Sequence, residues 1–221
     1  LLLSLSIAQD YSLSFDGVDD YVEIPSIAQY SGINSFTWSS WLKLDELESW
    51  SEDMYLWNLD SSPMHINLQF DFRDGLNQMV ITTDLLGTGT ASSTISADLV
   101  MDWSWHLYTV SYQSTNQVNF YIDGQPVSSH DAQGESTLVA SDRILIGTHS
   151  NAGRSFLFGQ VYDFLFCNDA LNSEEILNIY EAGFDGNDPQ NQHYEDSMTD
   201  NLLGYWKYND NGDFYDYSTF Y

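Results

Sequence analysis

The most constraining feature of the chain is a series of short segments in which apolar and polar residues alternate, each bounded by Gly, Asn, Asp or Ser. Successive side chains of a β-strand point to opposite faces, so this period of two predicts strands with one buried face. Phe36 to Leu44 (FTWSSWLKL) and Trp105 to Tyr112 (WHLYTVSY) are the clearest examples. Aromatic residues make up 15% of the chain, which also favours sheets over helices.

Further strands are expected along the whole chain, together with one helix. The other predicted strands are 11–15, 21–24, 54–59, 66–72, 79–83, 118–122, 143–146 and 156–166. Apolar residues three and four positions apart follow Ser173, which we expect to cap a short helix near residues 173–182. Residues 185–201 are polar and predict a long loop, after which a closing strand is expected at 202–208. Many short strands with one helix predict a sandwich of two antiparallel sheets.

The charge balance excludes some classes of partner. Lys and Arg number 5 and Asp and Glu number 33, so the formal net charge is −28. Such a surface repels the phosphates of nucleic acids and the headgroups of anionic membranes, and neither is expected as a partner. Carboxylates instead favour divalent cations such as Ca²⁺. The alternative interpretation is that the charge keeps the protein soluble in a salty medium.

The first nine residues suggest a secretory origin. Residues 1–9 (LLLSLSIAQ) are mostly apolar and resemble the end of a truncated signal peptide, with an ordinary first strand as the alternative. This interpretation places the protein outside the cell or on its surface, with a single domain at residues 10–221. No segment approaches the roughly 18 to 20 apolar residues of a transmembrane helix, so membrane insertion is not expected. The single cysteine, Cys167, lies in an apolar run and is expected in the core.

Five blocks of the sequence, in order, resemble one family. They are FDGVDDYVEI (15–24), FTWSSWLKL (36–44), the Trp105–His106 to YIDG hairpin (105–124), GQVYDF with ALNSEEI (159–176) and LGYWKYN (203–209). These blocks are similar to the laminin-G-like jelly-roll domains of the concanavalin A-like fold. The resemblance implies an all-β, two-sheet antiparallel jelly-roll sandwich with one short helix near residues 173–182.

The same resemblance implies a structural calcium site. Asp16, Asp19 and Asp20 lie within five residues beside a glycine, and Ca²⁺ needs six to eight oxygen ligands. In the family, the loop after the first strand and the acidic residue of the GQVYD strand lie close together. This implies Asp16, Asp163 and then Asp19 as ligands. The alternative is that Asp16 forms a tight turn and Asp163 caps a loop. Residues 209–213 (NDNGD) lack the bidentate Glu of a full calcium loop and are interpreted as an ordinary loop.

A carbohydrate site needs an aromatic face beside polar donors and acceptors. Trp50, in the acidic insertion 45–53, and Trp103 are the candidate platforms, with Arg73 and Asp74 as polar partners. Trp57 is a further candidate, although packing in the core is the more common fate of a tryptophan. Trp38, Trp41 and Trp105 lie within strands and are expected to pack.

Catalytic signatures are missing from the sequence. It contains no Gly-x-Ser-x-Gly elbow, no His-Glu-x-x-His and no Glu-x-Asp-x-x-Glu strand of the kind that glucanases of this fold use. His106 belongs to the hairpin block and is expected to be structural. The function expected from the sequence is a secreted, non-catalytic binding module, stabilised by Ca²⁺, for carbohydrate or another cell-surface ligand. The alternatives are a structural or adhesive module with protein partners and a diverged glycan-active enzyme. The sequence predicts no particular oligomeric state.

Overall fold

Most of the alternating segments form antiparallel strands. The computed structural model describes residues 12–24, 32–46, 53–60, 64–72, 76–85, 89–113, 115, 117–132, 143–149, 154–186, 202–208 and 214–216. The strands in this part of the chain are β1 (Leu13–Asp16), β2 (Val22–Ile24), β3 (Phe36–Leu44), β4 (Asp53–Asp60), β5 (Met64–Asp71), β6 (Gln78–Leu85), β7 (Gly89–Ser96), β8 (His106–Gln113), β9 (Gln117–Ile122), β10 (Gln125–Asp131), β11 (Arg143–Ile146), β12 (Phe158–Cys167), β13 (Leu202–Tyr208) and β14 (Phe214–Asp216).

The strands form two antiparallel sheets. The eight-stranded sheet has the order β10-β9-β8-β3-β12-β13-β14, with β1 pairing beside β12. The six-stranded sheet has the order β2-β11-β4-β5-β6-β7. The all-β, two-sheet sandwich that the sequence predicts is therefore confirmed. The closing strand lies at residues 202–208, as expected.

The core lies between the sheets and is rich in aromatic rings. Trp38 on β3 is fully buried and meets Trp57 on β4 edge-on, with ring centroids 5.8 Å apart. The rings of Phe70 and Tyr108 join the two sheets in the same way, 6.1 Å apart. Edge-to-face contacts of this kind add to the hydrophobic gain of burial because the positive edge of one ring meets the negative face of another.

A second, smaller core lies between the eight-stranded sheet and the helix α1 (Ser173–Gly186). Ile176 and Ile179 of α1 are buried there, and Tyr180 stacks on Trp41 with ring centroids 5.7 Å apart. Cys167 is also buried there, as predicted.

The helix differs from the prediction at both ends. Its cap is Asn172 and not Ser173, because the Asn172 side chain accepts the backbone N–H groups of Glu174 and Glu175. At its other end the helix continues to Gly186, so residues 185 and 186, predicted to begin the polar loop, are helical. The rest of that loop, together with residues 1–9 and 209–213, lies outside the described residues.

Many of the loops that contain candidate site residues lie at one end of the sandwich. Strands β1, β3, β5, β7 and β9 end there, and the strand that follows each of them in the chain begins there. The register fixes this arrangement, because Leu42 pairs with His106 and Leu44 pairs with Gly159. We call this end, with the loops after Asp16, Leu44, Asp71, Ser96 and Ile122, the loop end.

Candidate functional site

Three aspartates meet at the loop end, directly after β1. One carboxylate oxygen each from Asp16, Asp19 and Asp20 lies within 4.8 Å of the others, and all three residues are exposed. The turn is held by the backbone N–H of Asp16, which donates to Asp20 Oδ2 at 3.1 Å, and by that of Val18, which donates to Asp16 Oδ1 at 2.8 Å. We call this turn, residues 16–21, the acidic loop.

Glycines allow the acidic loop to pack closely on its neighbours. Gly17 has φ of +78°, a conformation that residues with a Cβ rarely adopt. Gly147, just after β11, has φ of +86° and lies against the ring of Phe15 and near the carbonyl oxygen of Asp20. The loop is therefore supported from both sheets, since β1 belongs to the eight-stranded sheet and β11 to the other.

The acidic loop has the donor chemistry that a hard divalent cation prefers. Ca²⁺ takes carboxylate and carbonyl oxygens together with water, so three carboxylates would supply part of its shell. Asp16 and Asp19 were both expected as ligands, and the structure brings them together. Asp20, which was not expected as a ligand, is the third member of the cluster. The sequence feature that could have identified Asp20 as a ligand is the short spacing of the three aspartates around one glycine.

Asp163 does not join this cluster. Asp16 pairs with Phe158, five residues before Asp163 along β12, which corresponds to roughly 16 Å. Asp163 is instead buried in a bulge of β12 with φ of +48°, where the Tyr205 hydroxyl donates to Oδ2 at 3.0 Å. It lines a small cavity with Trp41 and with Ile179 of α1. The expectation that Asp16 and Asp163 share a cation is therefore wrong, because the register puts them far apart on the sheet.

The predicted carbohydrate residues have different outcomes. Trp57 is fully buried and donates from its indole N–H to Ser40 Oγ at 2.9 Å, so it belongs to the core. Trp103 is half-buried at the loop end, with φ of +61° and its ring packed against the core. Trp50, Arg73 and Asp74 lie outside the described residues.

The chain segments that carry these last residues start and finish at the loop end. Trp50 belongs to the stretch between Leu44 and Asp53, and Arg73 and Asp74 to the stretch between Asp71 and Gln78. The first stretch leaves the sheet beside the acidic loop, because the backbone N–H of Asp45 donates to the Phe158 carbonyl at 3.3 Å. Phe158 is also the pairing partner of Asp16.

Exposed apolar side chains lie on the same end. Val18 and Tyr21 flank the aspartates of the acidic loop and are 67% and 44% exposed. Leu76 and Leu99 are 44% and 58% exposed, on two segments joined by the bond from the Ala97 N–H to the Asn77 carbonyl at 3.1 Å. An exposed aromatic or aliphatic surface beside polar groups is typical of ligand and protein contacts.

His106 is an ionisable group at the loop end that two carboxylates hold in place. Its ring lies between the carboxylates of Asp102 and Asp123, at 3.0 Å and 2.7 Å. The bond to Asp123 is the main reason why the pKa of His106 lies above its usual value of 6.5, and burial opposes this increase. The bond from His106 in turn holds the pKa of Asp102 below its usual value of 3.8. The structural role expected for His106 agrees with this geometry.

None of the described helices is long and apolar enough to cross a membrane.

Comparison with known proteins places the chain among sandwich domains. A comparison with curated proteins found no match. A native heptameric SAP-like pentraxin from Limulus polyphemus is similar over 95% of this chain and 92% of its own, with 10% identity and a TM-score of 0.63. The binding domain of botulinum neurotoxin serotype D is similar over 78% of this chain and 43% of its own, with 15% identity and a TM-score of 0.61.

A third similar structure concerns the cell entry of botulinum neurotoxin type C through two ganglioside molecules. It matches over 76% of this chain and 42% of its own, with 14% identity and a TM-score of 0.59. This chain therefore spans less than half the length of the two toxin chains. At such low identities the likeness shows a common fold.

The family assignment rests on the sequence itself. A laminin G family model, described as concanavalin A-like lectin/glucanases superfamily, matches residues 16–177 of the 221. The match begins at Asp16 and extends into α1, so it includes the six-stranded sheet, five strands of the eight-stranded sheet and the acidic loop. The chain belongs to this laminin G family of the concanavalin A-like lectin/glucanase superfamily.

Proposed function

We propose that this domain is a non-catalytic binding module of a secreted or cell-surface protein, and that it binds carbohydrate at the loop end with the help of Ca²⁺ on the acidic loop. The single observation that carries the proposal is the convergence of the Asp16, Asp19 and Asp20 carboxylates within 4.8 Å. It is supported by the fold, since one similar toxin structure is a binding domain and another is described with gangliosides.

The chemistry of the acidic loop suits a sugar ligand. A cation held by three carboxylates keeps free coordination positions, which neighbouring hydroxyl groups of a sugar can fill. Tyr21, 44% exposed and next to Asp20, offers an aromatic face on which the apolar side of a sugar ring can pack. Trp103, half-buried at the same end, is a further candidate contact for the sugar.

Calcium binding is tested first, without any sugar. Calorimetric titration of the EDTA-treated protein in 0.5 M NaCl should give saturable Ca²⁺ binding that 10 mM Mg²⁺ does not replace. High salt matters because a net charge of −28 attracts any divalent cation weakly. The exchange Asp19→Asn should abolish the binding.

The matched control is Asp169→Asn. Asp169 is equally exposed but follows β12 at the opposite end of the sandwich, so the exchange removes the same charge and should leave Ca²⁺ binding unchanged. An equal loss of Ca²⁺ binding in both variants would mean that only the total charge matters and that the acidic loop is not a calcium site.

Carbohydrate binding is tested on a glycan array in Ca²⁺ and in EDTA. We expect Ca²⁺-dependent binding that Asp19→Asn and Tyr21→Ala remove and that Asp169→Asn retains. Binding that is indifferent to EDTA and to both loop variants would place the sugar site elsewhere.

A protein ligand is the second candidate. The exposed side chains of Leu76 and Leu99 favour it, because large apolar side chains grouped on a surface are typical of protein contacts. Calcium binding together with a silent glycan array would support this candidate over the first. Catalysis is the least supported function, since the clustered carboxylates are exposed on a turn and one of the similar structures is described as a binding domain.

A further inference from the structure

The Asp102, His106 and Asp123 side chains form a continuous bridge at the loop end. His106 is the first residue of β8, Asp102 precedes it by four positions, and Asp123 lies in the turn between β9 and β10. His106 Nδ1 lies 2.7 Å from Asp123 Oδ2, and His106 Nε2 lies 3.0 Å from Asp102 Oδ1. One imidazole ring therefore connects the turn of a hairpin to the segment that leads into β8.

Only the protonated ring can make both bonds. A carboxylate accepts hydrogen bonds, and a neutral imidazole has a single N–H to donate. The other nitrogen would present its lone pair to a carboxylate, which is repulsive. When His106 is neutral, the bridge must therefore lose one of its two hydrogen bonds.

Among the described residues, the groups that act on the charge of the ring are the carboxylates of Asp123 and Asp102. From β8 itself the Tyr108 ring faces it edge-on, at 6.4 Å, and burial keeps the Tyr108 hydroxyl neutral by raising its pKa well above 10.0. On the neighbouring strand β3, the residue that pairs with His106 is the apolar Leu42. Helix α1 approaches the Asp123–Gly124 turn through Leu177 and the Cβ of Tyr180.

The two carboxylates are not held equally well. Asp123 is fixed by a second bond, since its Oδ1 accepts the Leu107 N–H at 2.9 Å, and its own N–H donates to the Leu107 carbonyl at 2.9 Å. The side chain of Asp102 is 60% exposed, and apart from His106 it accepts the N–H of Ser104 within its own turn. Asp102 is therefore the less firmly held of the two partners.

Trp103 follows Asp102 directly and stores strain. Its φ of +61° is a strained conformation that a bulky side chain rarely adopts. Neighbouring contacts must hold it there, and the bond that the protonated His106 ring donates to Asp102 Oδ1 lies next to it in the chain.

We infer that Asp102, His106 and Asp123 form a pH-sensitive latch that holds the segment 101–105, with Trp103, against β8 when His106 is protonated and releases it when His106 is neutral. This inference goes beyond the proposed function and does not depend on it, because the latch is defined without a ligand. If the loop end does bind sugar through Trp103, the latch makes that contact depend on pH.

The latch is tested by NMR titration of the free protein between pH 5 and 9. The ring signal of His106 should give a pKa above 6.5, and the indole N–H signal of Trp103, identified by its loss in Trp103→Phe, should shift with the same midpoint. The N–H of Ser104 should lose protection from hydrogen exchange above that midpoint. A His106 pKa at or below 6.5, or a Trp103 signal that does not follow it, would overturn the latch.

Two variants of the exposed Asp102 separate a latch from a merely structural bond. Asp102→Ala cannot bond the ring in either state, so the Trp103 signal should stay at its high-pH position throughout. Asp102→Asn can accept from the protonated ring or donate to the neutral one, so the signal should stay at its low-pH position. In both variants the titration of His130, on β10, should be unchanged, which shows an intact fold. A wild-type Trp103 titration in Asp102→Ala would exclude the latch.

Discussion

At the scale of single residues, the position of the acidic loop depends on the absence of one side chain. A Cβ added at Gly147 would lie 2.5 Å from the Phe15 ring and 3.5 Å from the Asp20 carbonyl oxygen. Phe15 is 2% exposed and lies in the core directly before Asp16, so it has little room to move. The packing of the core and the geometry of the acidic loop are therefore coupled through Gly147.

We expect Gly147→Ala to lower the free energy of unfolding by about 2–4 kcal/mol, from overpacking and from the positive φ. Urea unfolding followed by tryptophan fluorescence measures this change. The control is Gly32→Ala, since Gly32 has φ of +90° with no atom within 4 Å of an added Cβ. Gly32→Ala should show only the cost of placing a Cβ at positive φ, about 1–2 kcal/mol. Equal effects at both positions would contradict the proposed contact with Phe15.

A second histidine should make stability depend on pH in the opposite direction to His106. His130 on β10 bonds Ser93 Oγ at 3.1 Å and Thr83 Oγ1 at 2.9 Å, and so joins the edges of the two sheets. Burial lowers its pKa below 6.5. The unfolded chain therefore binds the proton more tightly, and the stability that His130 contributes is present above pH 6.5 and is lost as the pH falls through the lowered pKa.

The measurement is the difference in unfolding free energy between wild type and His130→Gln at pH 5 to 8. This difference should shrink as the pH falls below 6.5. For His106, whose pKa is raised, the contribution is complete below pH 6.5 and is lost as the pH rises through the raised pKa. A difference for His130→Gln that stays constant with pH would contradict the assignment.

At the scale of secondary-structure elements, helix α1 is stabilised by the hydrogen bonds of its first turn. Asn172 Oδ1 accepts the N–H groups of Glu174 at 2.9 Å and Glu175 at 3.2 Å, and Glu175 Oε2 accepts the Asn172 N–H at 2.7 Å. This reciprocal capping box satisfies backbone groups that the helix itself leaves without partners. The helix then buries Ile176 and Ile179 against the eight-stranded sheet.

Replacing Asn172 by alanine should cost about 1 kcal/mol of stability, because the first-turn N–H groups lose their acceptor. Thermal and urea unfolding measure the loss. Glu181→Ala, an exposed change in the middle of the same helix, is the control and should be nearly neutral. A loss in Asn172→Ala no larger than in Glu181→Ala would show that the cap does not stabilise the fold.

At the scale of the whole molecule, the excess of 33 acidic over 5 basic residues acts on both sheets at once. Repulsion between like charges favours expansion of the chain, and salt shortens its range to about 8 Å at physiological ionic strength. The stability gained from the core between the sheets must therefore offset a charge repulsion that depends on the salt concentration.

We expect the Tm in EDTA to rise by several degrees between 10 mM and 0.5 M NaCl. Differential scanning calorimetry measures it, and sucrose of equal osmolality serves as the uncharged control. A Tm that responds equally to NaCl and sucrose would mean that charge repulsion is unimportant. The change in Tm when Ca²⁺ is added in 0.5 M NaCl then measures binding at the acidic loop, separately from the general effect of salt.

Local pattern predicts the interior strands of this fold well and its edge strands poorly. The strands at Phe36–Leu44 and Leu202–Tyr208 lie where the sequence predicts them. The strand Gly89–Ser96 was missed, because it lies at the edge of the six-stranded sheet and is mostly small and polar. The strand Gln125–Asp131 was also missed, since an edge strand tolerates Pro126 and needs only a weakly apolar face.

The sequence alone determined the class of fold, because the two-residue period decides which side chains each strand can bury. It also determined the short spacing that groups Asp16, Asp19 and Asp20 in one turn, since that contact is local. Only the tertiary structure decided that Asp163 lies beneath α1 with Tyr205, and that His106 lies between Asp102 and Asp123. The reason is that strand register depends on pairing between distant segments, and a period of two does not specify which residue lies opposite which.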